Sequence, residues 1–302
     1  MIIQAKGLKK RYNSVWALDG LDLSIEEGEI YGLLGPNGSG KTTTILILLG
    51  LTEPTAGEVR VCGHNPVREP LAVKRLVGYM PEKVGFYEEL SAHENLRFIT
   101  KLNGIPEAEA GRRIAEALEQ VGLKEVAKRP VATFSHGMRQ RLGLADVLVK
   151  RPKLAILDEP TAGIDPEGAS QILDLIRRLR DEARMTVLLS SHLLHQVQQI
   201  CDRVGILHRG RMVAEGRVAE LTASGGFVAL IGQASPILRA RLEAADWTQS
   251  VEEIGPAELQ VSLAEAGRAE LFRFAAEEGG VILELRPRRP TLEDIYLRYF
   301  RE

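Results

Sequence analysis

Gly35-Pro36-Asn37-Gly38-Ser39-Gly40-Lys41-Thr42 is the stretch on which the fold turns. The apolar run before it, Glu29-Ile30-Tyr31-Gly32-Leu33-Leu34, is short enough to be a buried strand, and Thr43 to Leu51 suits a helix packed under a sheet. Strand, glycine-rich turn and helix is the setting in which G-x-x-x-x-G-K-[ST] reads as a phosphate loop rather than a structural turn. Its glycines let successive N–H groups converge on the β- and γ-phosphates of a nucleoside triphosphate, and the helix adds its positive N-terminal end. Lys41 supplies a mobile cation, and the Thr42 hydroxyl can ligate Mg²⁺. Thr43 is counted with residues 35–42 in the binding set.

The remaining composition is that of an ordinary globular protein: 302 residues, 44% hydrophobic and 26% charged. That length predicts two domains, one of about 200 residues and one smaller. A net charge of −2 gives no argument for a nucleic-acid surface. Cys62 and Cys201 are far apart, form no C-x-x-C and fit a reduced cytosolic setting as buried fillers. The longest uncharged runs, Ile30 to Gly40 and Thr42 to Thr52, fall well short of a membrane span, and Met1 to Lys10 lacks a signal-peptide core. Any action at a membrane is expected through a partner.

Along the chain, Ile2 to Ala5 and Leu21 to Ile25 read as strands of a small antiparallel layer, with Tyr12 between them. An exposed aromatic there can stack on adenine, and the phosphate loop downstream favours that over a half-buried sheet residue. A turn at 53–57, a strand from Glu58 to Cys62, a loop, and a strand from Leu76 to Met80 follow. Cys62-Gly63-His64 lacks further ligands for a metal. Residues 91–150 become helical: Ser91-Ala92-His93-Glu94 is a capping box, Pro106 starts a second helix and Ser135 a third. Leu154 to Leu157 is a continuous apolar strand ending in Asp158 and Glu159, at the edge where open α/β sheets bind ligands. A helix from Glu167, a strand from Thr186 to Leu189 before Ser190-Ser191-His192, and strands at Val204–Leu207 and Met212–Glu215 complete this part. Gly225-Gly226 marks the boundary region. Beyond it the β-α-β-β-α-β order predicts a ferredoxin-like domain, then a helix from Thr291 to Arg301 opened by Thr291-Leu292-Glu293-Asp294. The expected fold is an α/β P-loop NTPase domain, 1–217, with an antiparallel β subdomain and a helical subdomain at about 91–150. An α+β domain over 218–302 follows it.

Phosphoryl transfer to water needs bound phosphates, neutralised charge and a positioned water. Lys41 and the loop amides meet the first need. Asp158 is placed to hold Mg²⁺ with Thr42, and Glu159 to orient or deprotonate the water. His192, just past a strand end, can contact the γ-phosphate or serve structurally. His192 and His195 lack a third metal ligand.

In their order, these motifs resemble the nucleotide-binding subunits of ABC transporters over roughly residues 1–217. The resemblance rests on Tyr12 as the aromatic loop, 35–42 as Walker A and Tyr79–Glu82 as the Q-loop. It continues with Phe134-Ser135-His136-Gly137-Met138 as the signature, Leu154–Glu159 as Walker B, Ala162-Gly163-Ile164-Asp165 as the D-loop and His192 as the switch. It implies ATP and Mg²⁺ as ligands, with Glu159 and His192 catalytic and Thr42, Glu82 and Asp158 around the metal. It also implies a second anion site at Ser135 and Gly137 that closes on the ATP of an opposite subunit, so a dimer, most simply a homodimer, is expected. Glu82 stands where most of the family has glutamine, His136 replaces a glycine and Met138 a glutamine. Those variants look like the ATPases of ABC-2-type exporters, and the tail Pro290–Glu302 looks like the end of their C-terminal extensions. Gly78–Leu90 and the tail are further similar to the ATPase of the copper-processing system of nitrous oxide reductase maturation. The resemblance implies a cytoplasmic subunit, peripheral on the inner face of the cell membrane, driving a separate permease for copper or sulfur species or a drug-type substrate. Two other readings stand beside it: a soluble ATPase acting on DNA or ribosomes, and a regulatory ATPase using residues 218–302 as a sensor.

Overall fold

Strand β1 (Ile3–Tyr12) turns through Asn13 and Ser14 into β2 (Val15–Ile25). Asn13 has φ 52, a left-handed conformation that asparagine tolerates. The structure, a computed structural model, describes residues 1–222, 226–288 and 291–300. The hairpin is longer than its two apolar patches suggest, and Tyr12 is the last residue of β1 instead of lying in a loop. The polar run Lys9-Lys10-Arg11 hides the strand because its charges are held at the surface: Lys9 pairs with Asp19, Lys10 Nζ donates to the Glu53 carbonyl, and the Arg11 guanidinium lies 5.5 Å from the Trp16 ring centroid. Strand β3 (Ile30–Leu34) is buried at every residue and runs into the phosphate loop and α1 (Lys41–Leu48). Strand β4 (Ala56–Val61) completes an antiparallel sheet in the order β2-β1-β4. Helix α2 (Pro70–Leu76) occupies part of the expected loop and leads directly into β5 (Val77–Met80).

Three helices follow. In α3 (Ala92–Leu102) the capping box is formed: Ser91 Oγ accepts from the Glu94 N–H, and Glu94 Oε2 accepts from the Ser91 N–H at 2.8 Å. Helix α4 (Glu107–Gln120) buries Ala110, Ile114, Ala117 and Leu118, the one-face spacing of an amphipathic helix. Helix α5 (His136–Val149) begins at the N-cap Ser135.

Asp146 on α5 lines a groove of about 350 Å³ with Gly85, Phe86, Tyr87, Asn95, Phe98 and Ile99. Burial pushes its carboxyl up to about 6 from 3.8, against the attraction of Lys150. A folded-state pKa above the unfolded one contributes stability below the unfolded value that is lost as pH rises through the folded value. Asp146→Asn is therefore expected to stabilise the protein at pH 7.5 by about 1–3 kcal/mol, at about 1.4 kcal/mol per pH unit less the lost Lys150 attraction. The gain should close as pH falls toward 4, read from urea unfolding across pH. Equal stability of the two proteins at pH 7.5 would contradict it.

The parallel sheet is completed by β6 (Leu154–Asp158), α6 (Pro166–Ala183), β7 (Thr186–Ser191), α7 (Leu194–Ile200), β8 (Arg203–His208) and β9 (Arg211–Arg217). Its order is β5-β6-β7-β3-β8-β9, parallel throughout except for β9, which returns antiparallel to β8. Central strands of such a sheet are covered on both faces, so β3, β6 and β7 read as unbroken buried runs.

Residues divide by their contacts into two compact units, Met1–Arg217 and Val218–Glu302. The second unit contains α8 (Val218–Leu221), β10 (Phe227–Gly232), α9 (Pro236–Glu243), β11 (Thr248–Gly255), β12 (Glu258–Leu263), α10 (Arg268–Glu277), β13 (Val281–Pro287) and α11 (Leu292–Phe300). Its antiparallel sheet has the order β11-β12-β10-β13, the ferredoxin-like arrangement. Phe227, Ala229, Ile231, Leu238, Leu242 and Val261 are among the buried core residues. The second capping box also forms, with Thr291 Oγ accepting from the Asp294 N–H and Asp294 Oδ2 from the Thr291 N–H. Gly225 of the expected boundary, and Pro290, Arg301 and Glu302 of the expected tail, lie outside the described residues.

Candidate functional site

Four neighbouring parallel strands release their chains at one edge. Along that edge Met80 pairs with Leu157, Asp158 with Ser190, and Leu34 with Ser191. Strand β3 therefore delivers residues 35–42, β6 delivers Asp158 and Glu159, β7 delivers His192, and β5 leads into Pro81-Glu82. Residues far apart in sequence meet because the register brings their strand ends level.

The loop is shaped for a phosphate. Gly40 has φ 112, and a Cβ there would lie 2.7 Å from the Ala17 carbonyl oxygen and 2.8 Å from Leu18 Cδ2. No side chain caps the start of α1 and no acidic residue stands in its first turn. First-turn amides lack helical partners, so this end presents donors and positive potential to an anion. Ser39 is buried, and among the described residues its Oγ has no hydrogen-bond partner. An orphaned hydroxyl beside unpaired amides fits a phosphate oxygen. Asn37, Gly38 and Thr42 are exposed, Pro36 and Thr43 are half-buried, and Gly35 is buried. Lys41 is buried and its Nζ donates to the Gly35 carbonyl at 2.7 Å and the Pro36 carbonyl at 3.3 Å. Burial depresses its ammonium, while Glu159, Asp158 and Glu82 act to hold the charge.

The two carboxylates are set by one serine. Ser190 Oγ–H donates to Asp158 Oδ1, and Ser190 Oγ in turn accepts from the Glu159 N–H at 3.1 Å. Burial raises the Asp158 carboxyl, Ser190 opposes it, the Glu82 charge adds to it and Lys41 opposes it. Glu159 has φ 49, a strained conformation for a non-glycine residue, and its N–H also reaches the Ser190 carbonyl at 3.2 Å. The turn sends its side chain away from that of Asp158: Oε1 lies 3.9 Å from Lys41 Nζ and Oε2 lies 2.9 Å from His192 Nδ1. A carboxylate has no hydrogen to give, so His192 carries its proton on Nδ1 here. Lys41, Asp158, Glu159 and His192 thus stand together, with Glu82 exposed but near enough for its charge to reach Lys41 and Asp158. Ser190 went unread in the sequence, although Ser190-Ser191 immediately before His192 was the available signal.

The remaining residues lie apart. Tyr12 is 45% exposed, with the Lys10 ammonium 4.8 Å from its ring centroid, so an open aromatic face stands at the end of β1. Ser135 and Gly137 open α5, with Ser135 Oγ accepting from the Met138 N–H at 3.3 Å and open space around Gly137. Asp165 caps α6 through the Gly168 N–H at 2.9 Å. Among the described residues no hydrogen bond or ion pair joins Ser135, Gly137 or Asp165 to residues 35–43. No group of three or more His, Cys, Asp or Glu among the described residues is placed to hold a metal alone. Mg²⁺ bound by one or two carboxylates together with substrate phosphates needs no such group.

The family model for ABC transporter matches residues 18–162. The linearmycin resistance ATP-binding protein LnrL of Bacillus subtilis (strain 168) is 36% identical over 303 residues, covering 98% of this chain and 97% of that one. This chain belongs to the ATP-binding subunits of ABC transporters. The bacitracin transport ATP-binding protein BcrA of Bacillus licheniformis is 44% identical over 214 residues, 71% of this chain and 69% of that one. Among solved structures, an ATP-binding cassette in a dimeric post-hydrolysis state bound to ADP and Pi superposes with a TM-score of 0.64 at 26% identity. That likeness covers 72% of this chain and 98% of the other. As an ABC transporter ATP-binding subunit, the chain is a nucleotide-binding ATPase. No helix among its described residues is long and apolar enough to cross a membrane.

Proposed function

We infer that this chain is the ATP-driven subunit of an exporter, closing in pairs on two ATPs to move a separate membrane permease. It would work in the cytoplasm, peripheral on the inner face of the cell membrane. The convergence of Lys41, Asp158, Glu159 and His192 beside an uncapped helix start carries the reading. In it, Tyr12 stacks on adenine, while the amides of 35–43 and Lys41 hold the β- and γ-phosphates. Thr42, Asp158 and Glu82 would hold Mg²⁺, which would neutralise charge on the phosphate oxygens. Glu159 takes a proton from the attacking water as the new P–O bond forms and the bond to ADP breaks, and His192 Nδ1–H keeps that carboxylate aimed. Ser135 and Gly137, with Asp165 beside them at the interface, close on the ATP of the second subunit. The dimeric relative holding ADP and Pi supports this pairing. Relatives named for linearmycin and bacitracin favour a drug-type substrate over the copper or sulfur species that the tail resemblance implies.

The groove below α5 suits the permease. Tyr87 and Phe98 are 51% and 40% exposed and meet edge to face with ring centroids 5.3 Å apart. Loop 81–90 carries Glu82 at the site and lines the groove with Gly85 to Tyr87, so an occupant there touches the loop that reaches the nucleotide. The occupant is a short apolar segment of the permease carrying one basic residue to meet Asp146. The Tyr87→Ala, Phe98→Ala double variant is expected to lose co-purification with a multi-span membrane protein by about tenfold or more, as for truncated aromatic anchors, while ATP binding persists. Undiminished co-purification would remove the groove from that role. Recovery of the parent protein with ribosomes or DNA instead would contradict the transporter reading.

A further inference from the structure

His136 occupies a signature position where the family pattern has glycine, and its ring is engaged within its own chain. Nε2 lies 2.8 Å from the Ala162 carbonyl oxygen, and because a carbonyl only accepts, Nε2 carries the hydrogen. The ring also lies against Gly163, where an added Cβ would come within 3.3 Å of Nε2. Gly163 has φ 72, so the backbone turns at the point the ring covers.

This contact bridges two functional segments. His136 is the first residue of α5, between Ser135 and Gly137, while Ala162 and Gly163 belong to the loop that starts at Glu159. That loop is tight: the Ala162 N–H donates to the Glu159 carbonyl at 3.0 Å, and the Ile164 N–H to the Thr161 carbonyl at 3.3 Å. Thr161 is buried and its hydroxyl bonds Gln196 on α7, while Asp165 fixes the far end as the cap of α6. A displacement of the start of α5 would therefore pull on a short, internally bonded segment whose other end sets Glu159.

We propose that His136 is a positioning residue: it clamps the Ala162–Gly163 backbone to the start of α5, so that the Ser135–Gly137 anion site and Glu159 of the same chain are set together. This rests on the reading that Ser135 and Gly137 close on the ATP of a second subunit. The chain would then couple its two sites through its own backbone, one carrying Glu159 and the other completed by Ser135.

Steady-state hydrolysis by the full chain tests it. His136→Ala is expected to lower kcat about three- to tenfold, the range for one hydrogen bond used in the transition state, with KM for ATP within about twofold. His136→Gln, whose amide N–H can reach the same carbonyl, should recover most of the rate. His136 is exposed, so its truncation leaves the core intact. The His136→Ala, Glu159→Gln double variant should still form the ATP-bound dimer, because Ser135 and Gly137 keep their own donors and the clamp fixes only their spacing from Glu159; loss of that dimer would overturn the proposal. Parent kcat in His136→Ala, or a His136→Gln variant as slow as His136→Ala, would overturn the proposal. Failure of Glu159→Gln alone to dimerise on ATP would instead remove the pairing on which it rests.

Discussion

Glu159→Gln is expected to slow ATP hydrolysis by about a thousandfold, within the range for removing a general base, while ATP still binds. Glutamine preserves the shape of the side chain and can still accept from His192 Nδ1, so the 2.9 Å contact survives. What it cannot do is take a proton from water. It also removes a negative charge from a buried position beside Lys41, where a triphosphate would otherwise be repelled. ATP affinity should therefore hold or rise modestly, and the kcat loss should appear without a matching rise in KM. Turnover at the parent rate would remove Glu159 from the role of base.

Lys41→Ala strikes the other half of the chemistry. The ammonium is buried, is held by two loop carbonyls and lies 3.9 Å from Glu159 Oε1. Without it, phosphate charge would enter a site already holding Asp158 and Glu159, with Glu82 close by. Losing one member of a buried charge pair costs about 2–5 kcal/mol, so ATP affinity should fall by about a hundredfold or more. Lys41→Met keeps the apolar stem and should fall as far, which separates charge from packing. Nucleotide titration of both variants provides the check. Parent-like affinity in Lys41→Met would show that the ammonium does not hold the phosphates.

Residues 30–42 are legible because a continuous apolar run followed by closely spaced glycines has few alternative structures. Strands Phe227–Gly232 and Glu258–Leu263 take their places in the expected β-α-β-β-α-β order for a related reason: turn formers bound both. Helices α2 and α7 are not, since seven residues complete barely two turns and leave no periodic signature. The polar run at Lys9–Arg11 concealed most of β1. Within the site, Lys41, Asp158, Glu159 and His192 are readable because each follows or ends a buried strand. Their spatial order needed the sheet register, which no single strand encodes. The double use of Ser190, the left-handed turn at Glu159 and the His136–Ala162 bond join segments 26 or more residues apart, or depend on backbone angles, so sequence spacing does not reveal them. Roles for Ser135, Gly137 and Asp165 came from resemblance, and no hydrogen bond or ion pair among the described residues ties them to the loop.

The most direct test of an ATPase whose site is split between two chains is the mass of Glu159→Gln in solution, measured by light scattering with and without ATP and Mg²⁺. The expected result is a shift from one 33.3 kDa chain to two on adding ATP, absent when Lys41→Ala is combined with it. A mass that stays at one chain under saturating ATP would contradict the shared site.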